Sequence, residues 1–138
     1  MGLLFDTMVA SELRRARHPD QDPRFRSWAE ATDLSDCFLS VITIHEIERG
    51  VLSTERKDPT RAMVYRIWLD NLSEAFLGRI LPLTIRSARL AARFHIPDPA
   101  PLADALVAGI AQEHALTVVT RNTSDFHRFA IPVFNPWS

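Results

Sequence analysis

Short apolar runs alternate with stretches of helical periodicity along the whole chain. GLLF, just before Asp6, predicts a buried strand, and TMVASELRRAR after it has helical apolar spacing with basic residues in its last turn. RFRSWAEAT, residues 24–32, predicts a short helix and CFLSVI, residues 37–42, a second strand. From Ile44 to Leu52 the apolar residues Ile44, Ile47 and Val51 share one helical face. Residues 59–77 predict a long amphipathic helix stopped by Gly78. RILPL predicts a third strand and residues 84–95 a further helix. The proline-punctuated IPDPAP then leads into LADALVAGIAQEHA, apolar enough to be a largely buried helix. LTVVT predicts the fourth strand, residues 124–129 a helical turn, and IPVF a last strand. Strands alternating with helices imply βαβ units and a parallel sheet covered on both faces. In such sheets ligands sit outside the carboxyl ends of the strands.

That edge is where acidic residues fall. Asp6 follows the first strand, Glu46 opens the helix after the second, Asp104 starts the buried helix, and Asp125 follows the fourth strand. Each has an ordinary alternative. Asp6 and Asp125 suit helix N-caps. Thr43-x-x-Glu46 reads as a capping box. Asp104 is hemmed in by Leu102, Ala103, Ala105 and Leu106, so burial is costly unless it caps a helix, is paired, or binds a cation. Glu48 reads as a solvent-facing helix residue. Three or four neighbouring carboxylates repel one another, and a hard divalent cation relieves that repulsion. Oxygen ligation without cysteine or histidine suits Mg²⁺ or Mn²⁺. Metals in such sites activate water against phosphate esters.

Composition narrows the alternatives. With 138 residues and 46% hydrophobic content, the chain suits one globular domain spanning 1–138. No apolar run is long enough for a membrane span, and the N-terminus, carrying Asp6, does not resemble a signal peptide. The single cysteine, Cys37, reads as a core thiol, which leaves a cytoplasmic protein as the expectation. A net charge of −1 argues against general nucleic-acid binding by charge alone, yet Lys57 is the only lysine among sixteen basic residues. Arginine suits bidentate phosphate contact, and a GC-rich genome is the ordinary reason for the bias. The five histidines lack zinc-ligand spacing, and His45 reads as an exposed helix residue. A phospho-receiver needs a lysine at the site, and Lys57 lies away from every strand end. A haloacid-type phosphatase needs a second aspartate two places after Asp6, where Met8 stands.

LLFDTMVASELRR, LSVITIHEIERGV, PLADALVAGIA and TVVTRNTSDFHRF with FNPW occur in order along nearly the whole chain. Together they resemble the PIN-domain ribonucleases, and within them the VapC toxins of toxin–antitoxin pairs, in the FitB-like group. The resemblance implies a three-layer α/β/α fold with a central, mainly parallel sheet. It implies an endoribonuclease that uses Mg²⁺, with Mn²⁺ able to substitute, to cleave RNA phosphodiester bonds by metal-activated water. Asp6, Glu46, Asp104 and Asp125 match the family's acidic ligands. Thr7, Thr120 and Asn122 match its supporting polar positions, and Arg121 is a candidate phosphate contact. The implied partners are a tRNA or rRNA substrate, a cognate VapB-type antitoxin, and a second copy in a homodimer. Three departures stand out: Met8 where asparagine is frequent, His45 where alanine is, and Ala115 where glycine is. A relative that has lost activity and only binds is the competing reading, and it would be expected to lack one or more of the four acids.

Overall fold

The computed structural model describes residues 2–138. Five strands form one parallel sheet: β1 (Leu3–Phe5), β2 (Cys37–Ser40), β3 (Ile80–Leu81), β4 (Thr117–Val119) and β5 (Val133–Phe134). Their order is β3-β2-β1-β4-β5. β1 is central, with Leu3 in register with Cys37 on one side and Thr117 on the other. The chain builds outward from β1 in one direction and then returns to its other edge, so the switch point lies between β1 and β4.

Seven helices connect the strands: α1 (Thr7–Leu13), α2 (Pro23–Ala31), α3 (Val41–Lys57), α4 (Pro59–Ala75), α5 (Ile85–Arg93), α6 (Leu102–Glu113) and α7 (Thr123–His127). They cover both faces of the sheet, giving the expected α/β/α layering. Successive strand residues point to opposite faces, and β1 shows it. Phe5 joins Val9, Phe25, Ile47, Leu69, Leu72 and Phe76 in one core, while Leu4 joins Val107, Ala108, Ile110, Phe126 and Phe129 in the other.

The second βα connection differs from expectation. CFLSVI does not remain extended to residue 42; β2 ends at Ser40 and α3 starts at Val41, running to Lys57 rather than stopping at Leu52. Ser40 is the N-cap, its Oγ accepting from the Thr43 amide at 3.3 Å. A short β-branched run is ambiguous between strand and helix by periodicity, and a capping serine decides here. The capping-box reading of Thr43-x-x-Glu46 therefore falls. Glu46 sits in the second turn of α3 and its carboxylate is free for other use.

Two positions carry backbone requirements. Gly78, with φ 81°, turns the chain out of the α4 end in the left-handed conformation that glycine adopts without strain. Ala115, one of the departures from the resembled pattern, is also left-handed at φ 54° between α6 and β4. Close packing of α5 on α6 has its own marker: a Cβ at Gly109 would come within 2.4 Å of the Ser87 carbonyl oxygen.

Candidate active site

Parallel strands bring their carboxyl ends to one edge, and α6, which runs back before β4, delivers its N-terminus to that same edge. Asp6 leaves β1 there, held to the neighbouring strand by its amide donating to the Val119 carbonyl at 3.1 Å. Its two carboxylate oxygens have separate jobs. Oδ1 accepts from the Val9 amide at 3.0 Å and caps α1, so the capping alternative is true as far as it goes. Oδ2 accepts from the Thr120 hydroxyl at 2.5 Å across the switch point.

Thr120 is fully buried, and its Oγ1 also accepts from the Asn122 amide at 3.0 Å. The abrupt polarity after VVT thus has a local cause. The first polar residue past β4 links the β4–α7 turn to Asp6. Asn122 contributes through its backbone; its exposed side chain makes no capping bond to α7.

Glu46 is positioned from a second direction. Thr7, the first residue of α1, donates its hydroxyl to Glu46 Oε1 at 2.5 Å and lies 3.3 Å from the Thr43 hydroxyl. Thr43 is fully buried and belongs to this polar support. The sequence pattern assigns it to a cap instead, because it puts the start of α3 three residues late. Ser40 is occupied as the cap.

Asp104 lies in the first turn of α6, behind Pro101, which offers no side-chain cap. The approach to this turn is fixed by Arg128, which donates to the Asp98 and Pro99 carbonyls at 2.6 and 3.2 Å. Arg128 follows α7, so the elements carrying Asp104 and Asp125 are tied together. Asp125 sits exposed in the first turn of α7, on the rim.

The electrostatics join the four acids. Burial is the main reason the Asp6 carboxyl is pushed above its ordinary value; hydrogen bonds from Thr120, Val9 and Met8 oppose it, and the Glu46 charge adds a smaller push. Asp104 is raised by burial first, then by the charges of Asp125, Glu46 and Asp6. Among the described residues none of the four forms an ion pair with arginine, lysine or histidine. The carboxylates are neighbours rather than a closed ligand set. Among the described residues no three His, Cys, Asp or Glu side chains are gathered closely enough to hold an ion. The donor chemistry nevertheless fits a hard cation: oxygen atoms only, two of the acids disfavoured as anions, and no protein cation to neutralise them.

The remaining candidates lie apart. Arg121 is exposed with its guanidinium 5.3 Å from the Trp137 ring centroid, on the flank beside Asp22. Glu48 pairs with Arg66 at 2.5 Å on the outer face of α3 and α4, and His45 is exposed on α3. Lys57 ends α3, far along the helix from the strand edge. Burial pushes the Cys37 thiol up to about 11, as suits a core residue. Among the described residues no helix is long and apolar enough to cross a membrane.

An edge of supported carboxylates lies near the switch point of a five-stranded parallel sheet, where such folds place their ligands. The PIN domain family matches residues 3–132, and this chain belongs to it. Toxin FitB of Neisseria gonorrhoeae is 34% identical over 98% of both chains. Ribonuclease VapC14 of Mycobacterium tuberculosis is 39% identical over 51% of this chain and 66% of its own. Among solved structures, that of FitAcB from Neisseria gonorrhoeae superimposes with a TM-score of 0.85 at 33% identity, covering 98% of each chain.

Proposed function

We propose that this chain is a metal-dependent endoribonuclease, a single PIN unit acting as the toxin of a toxin–antitoxin pair. The observation that carries the reading is the acidic edge: Asp6 and Asp104 are disfavoured as anions, and among the described residues neither forms an ion pair. Similarity over nearly the full length to a protein named a toxin, and over half of it to one named a ribonuclease, supports it.

Asp6, Glu46 and Asp104 would hold Mg²⁺ or Mn²⁺, with Asp125 completing the set from the rim. When bound, the cation supplies charge neutralisation at the phosphodiester and acidifies a water for in-line attack. The chain's own residues do the positioning. Thr120 and the Val9 amide fix both oxygens of Asp6, so its carboxylate keeps one orientation. Thr7 does the same for Glu46. Among the described residues no hydrogen bond engages the Asp104 or Asp125 carboxylate, and the Asp125 charge disfavours the Asp104 anion until a proton or a cation arrives. Arg121 would meet RNA phosphate at the flank. A cognate antitoxin would silence this edge by presenting an arginine or lysine to Asp6 and Asp104, where a paired charge takes the cation's place. A complex in which the antitoxin avoids the strand ends would overturn that part.

The test is direct. Purified protein should cleave a structured RNA such as tRNA or rRNA in Mg²⁺ or Mn²⁺ and stop in EDTA. Asp104→Asn should keep the fold by circular dichroism and lose cleavage by at least about a hundredfold, since lost outer-shell partners of a metal already cost up to that much. A folded variant that cleaves as fast as the wild type removes Asp104 from the site.

A further inference from the structure

A cavity of about 290 Å³ opens beside the acidic edge, between α1, α3 and α4. Its inner end is lined by Thr7 and Glu46, the pair joined by a hydrogen bond at the site itself. Tyr65 and Trp68 of α4 and Arg14, just past α1, also line it. Arg14 is exposed and its guanidinium lies 4.7 Å from the Tyr65 ring centroid. Arg61 approaches the same ring, its Nε donating to the Tyr65 hydroxyl at 2.7 Å.

Gly50 lines the middle, in the interior of α3. Glycine there weakens the helix relative to alanine. Nothing in the packing demands it, because a Cβ at Gly50 would meet no atom within 4 Å. What the missing side chain leaves is the open bore of the cavity.

We propose that this cavity takes an unpaired nucleobase of the RNA, stacked against the Tyr65 and Trp68 wall while its neighbouring phosphate lies at Glu46. The inference rests on the ribonuclease reading for the identity of the ligand. Three features select a base over a plain apolar group: half-buried aromatic rings, the Arg14 guanidinium at the same wall, and the hydroxyls of Thr7, Ser11 and Thr54 along it. Stacking on an aromatic side chain accepts any base, and arginine adds to it. Continuity with Glu46 makes the base a near neighbour of the scissile phosphate. Such a pocket restricts cutting to single-stranded or flipped-out positions, because a paired base cannot enter it.

Binding and cutting are measured separately. Binding uses an oligouridine of about ten nucleotides and an abasic ribose-phosphate oligomer of equal length, with Ca²⁺ present in place of Mg²⁺, read by tryptophan fluorescence. Oligouridine should quench the wild type, and Trp68→Phe should remove most of that quench. The abasic oligomer, with the same charge, should bind roughly tenfold more weakly and quench little. Gly50→Leu puts a side chain at the bore, its Cβ in open space. It should melt no lower than the wild type, bind oligouridine about tenfold more weakly, and raise the KM of cleavage more than it lowers kcat. Equal binding of the two oligomers, or a Gly50→Leu protein that binds and cleaves like the wild type, overturns the proposal. The second result would hand the cavity to another occupant, such as a side chain of a protein partner. A protein that quenches through Trp68 yet cuts no RNA keeps the cavity assignment and removes the nuclease reading.

Discussion

Two groups of acids in this molecule are treated in opposite ways. On the outer faces Glu48 is held by Arg66, Asp22 by Arg24, and Asp33 by Ser35; in each case hydrogen bonding pulls the carboxyl below its ordinary value. At the strand ends Asp6 and Asp104 are pushed the other way by burial and by one another's neighbours. The chain has sixteen basic residues for seventeen acids, so cations are not scarce. They are placed elsewhere: Arg66, Arg24, Arg79 and Arg128 serve carboxylates or carbonyls away from the site. The difference teaches that the strand-end acids are left uncompensated by arrangement. On the proposed reading their missing partner would come from outside the chain, a cation in the working state and a basic side chain in a silenced one.

The comparison breaks most sharply on metal addition. Mn²⁺ at a hundredfold excess over its dissociation constant should stabilise the wild type by roughly 2.7 kcal/mol in thermal melts. Asp6→Asn should lose most of that gain; an equal shift in both proteins removes Asp6 from the site. The sign of the pH dependence follows from the raised carboxyls. Folded Asp6 and Asp104 retain protons above the ordinary value of 3.8, so the native state binds more protons than the unfolded one. In EDTA, stability should therefore fall as pH rises from near 3.8 through the raised folded values. The cation competes with those protons, so the Mn²⁺ shift should grow across the same window. A shift independent of pH there would show that these acids do not meet the ion.

Thr120→Val probes the support instead of the charge. Valine matches the shape but leaves Asp6 Oδ2 and the Asn122 amide without their buried partner. The expected cost is about 1–3 kcal/mol in EDTA, with cleavage reduced as Asp6 loses its orientation. A neutral change in both would demote the Asp6–Thr120 bond. Asp6→Asn in EDTA should be milder, within about 1 kcal/mol of the wild type, because asparagine still caps α1 and relief of burial offsets a poorer contact with Thr120.

The smallest effect belongs to the outer pair. Glu48→Gln should shift stability by no more than about 1 kcal/mol, as expected for a half-exposed ion pair, and leave cleavage and the Mn²⁺ shift unchanged. Loss of cleavage in this variant would erase the distinction between the two groups of acids.

Much of this was set by residue order alone. Alternating short apolar runs and helical stretches determined a parallel sheet with helices on both faces. The acids after β1 and β4, and at the start of α6, marked the edge that holds the candidate site, because parallel strands can only gather their carboxyl ends together. The start of α3 was not determined, since VIT suits a buried strand as well as a buried helix, and only Ser40 in its place as cap decides. That choice moved Glu46 out of a capping role and put Thr43 beside Thr7. Tertiary structure alone decided which arginines stay away from the acids, since pairing between Arg66 and Glu48 or Arg128 and the Asp98 carbonyl depends on helix packing. It alone joined Arg14, Gly50 and Tyr65 around one cavity, because contacts between α1, α3 and α4 span tens of residues and leave no periodic trace in the sequence.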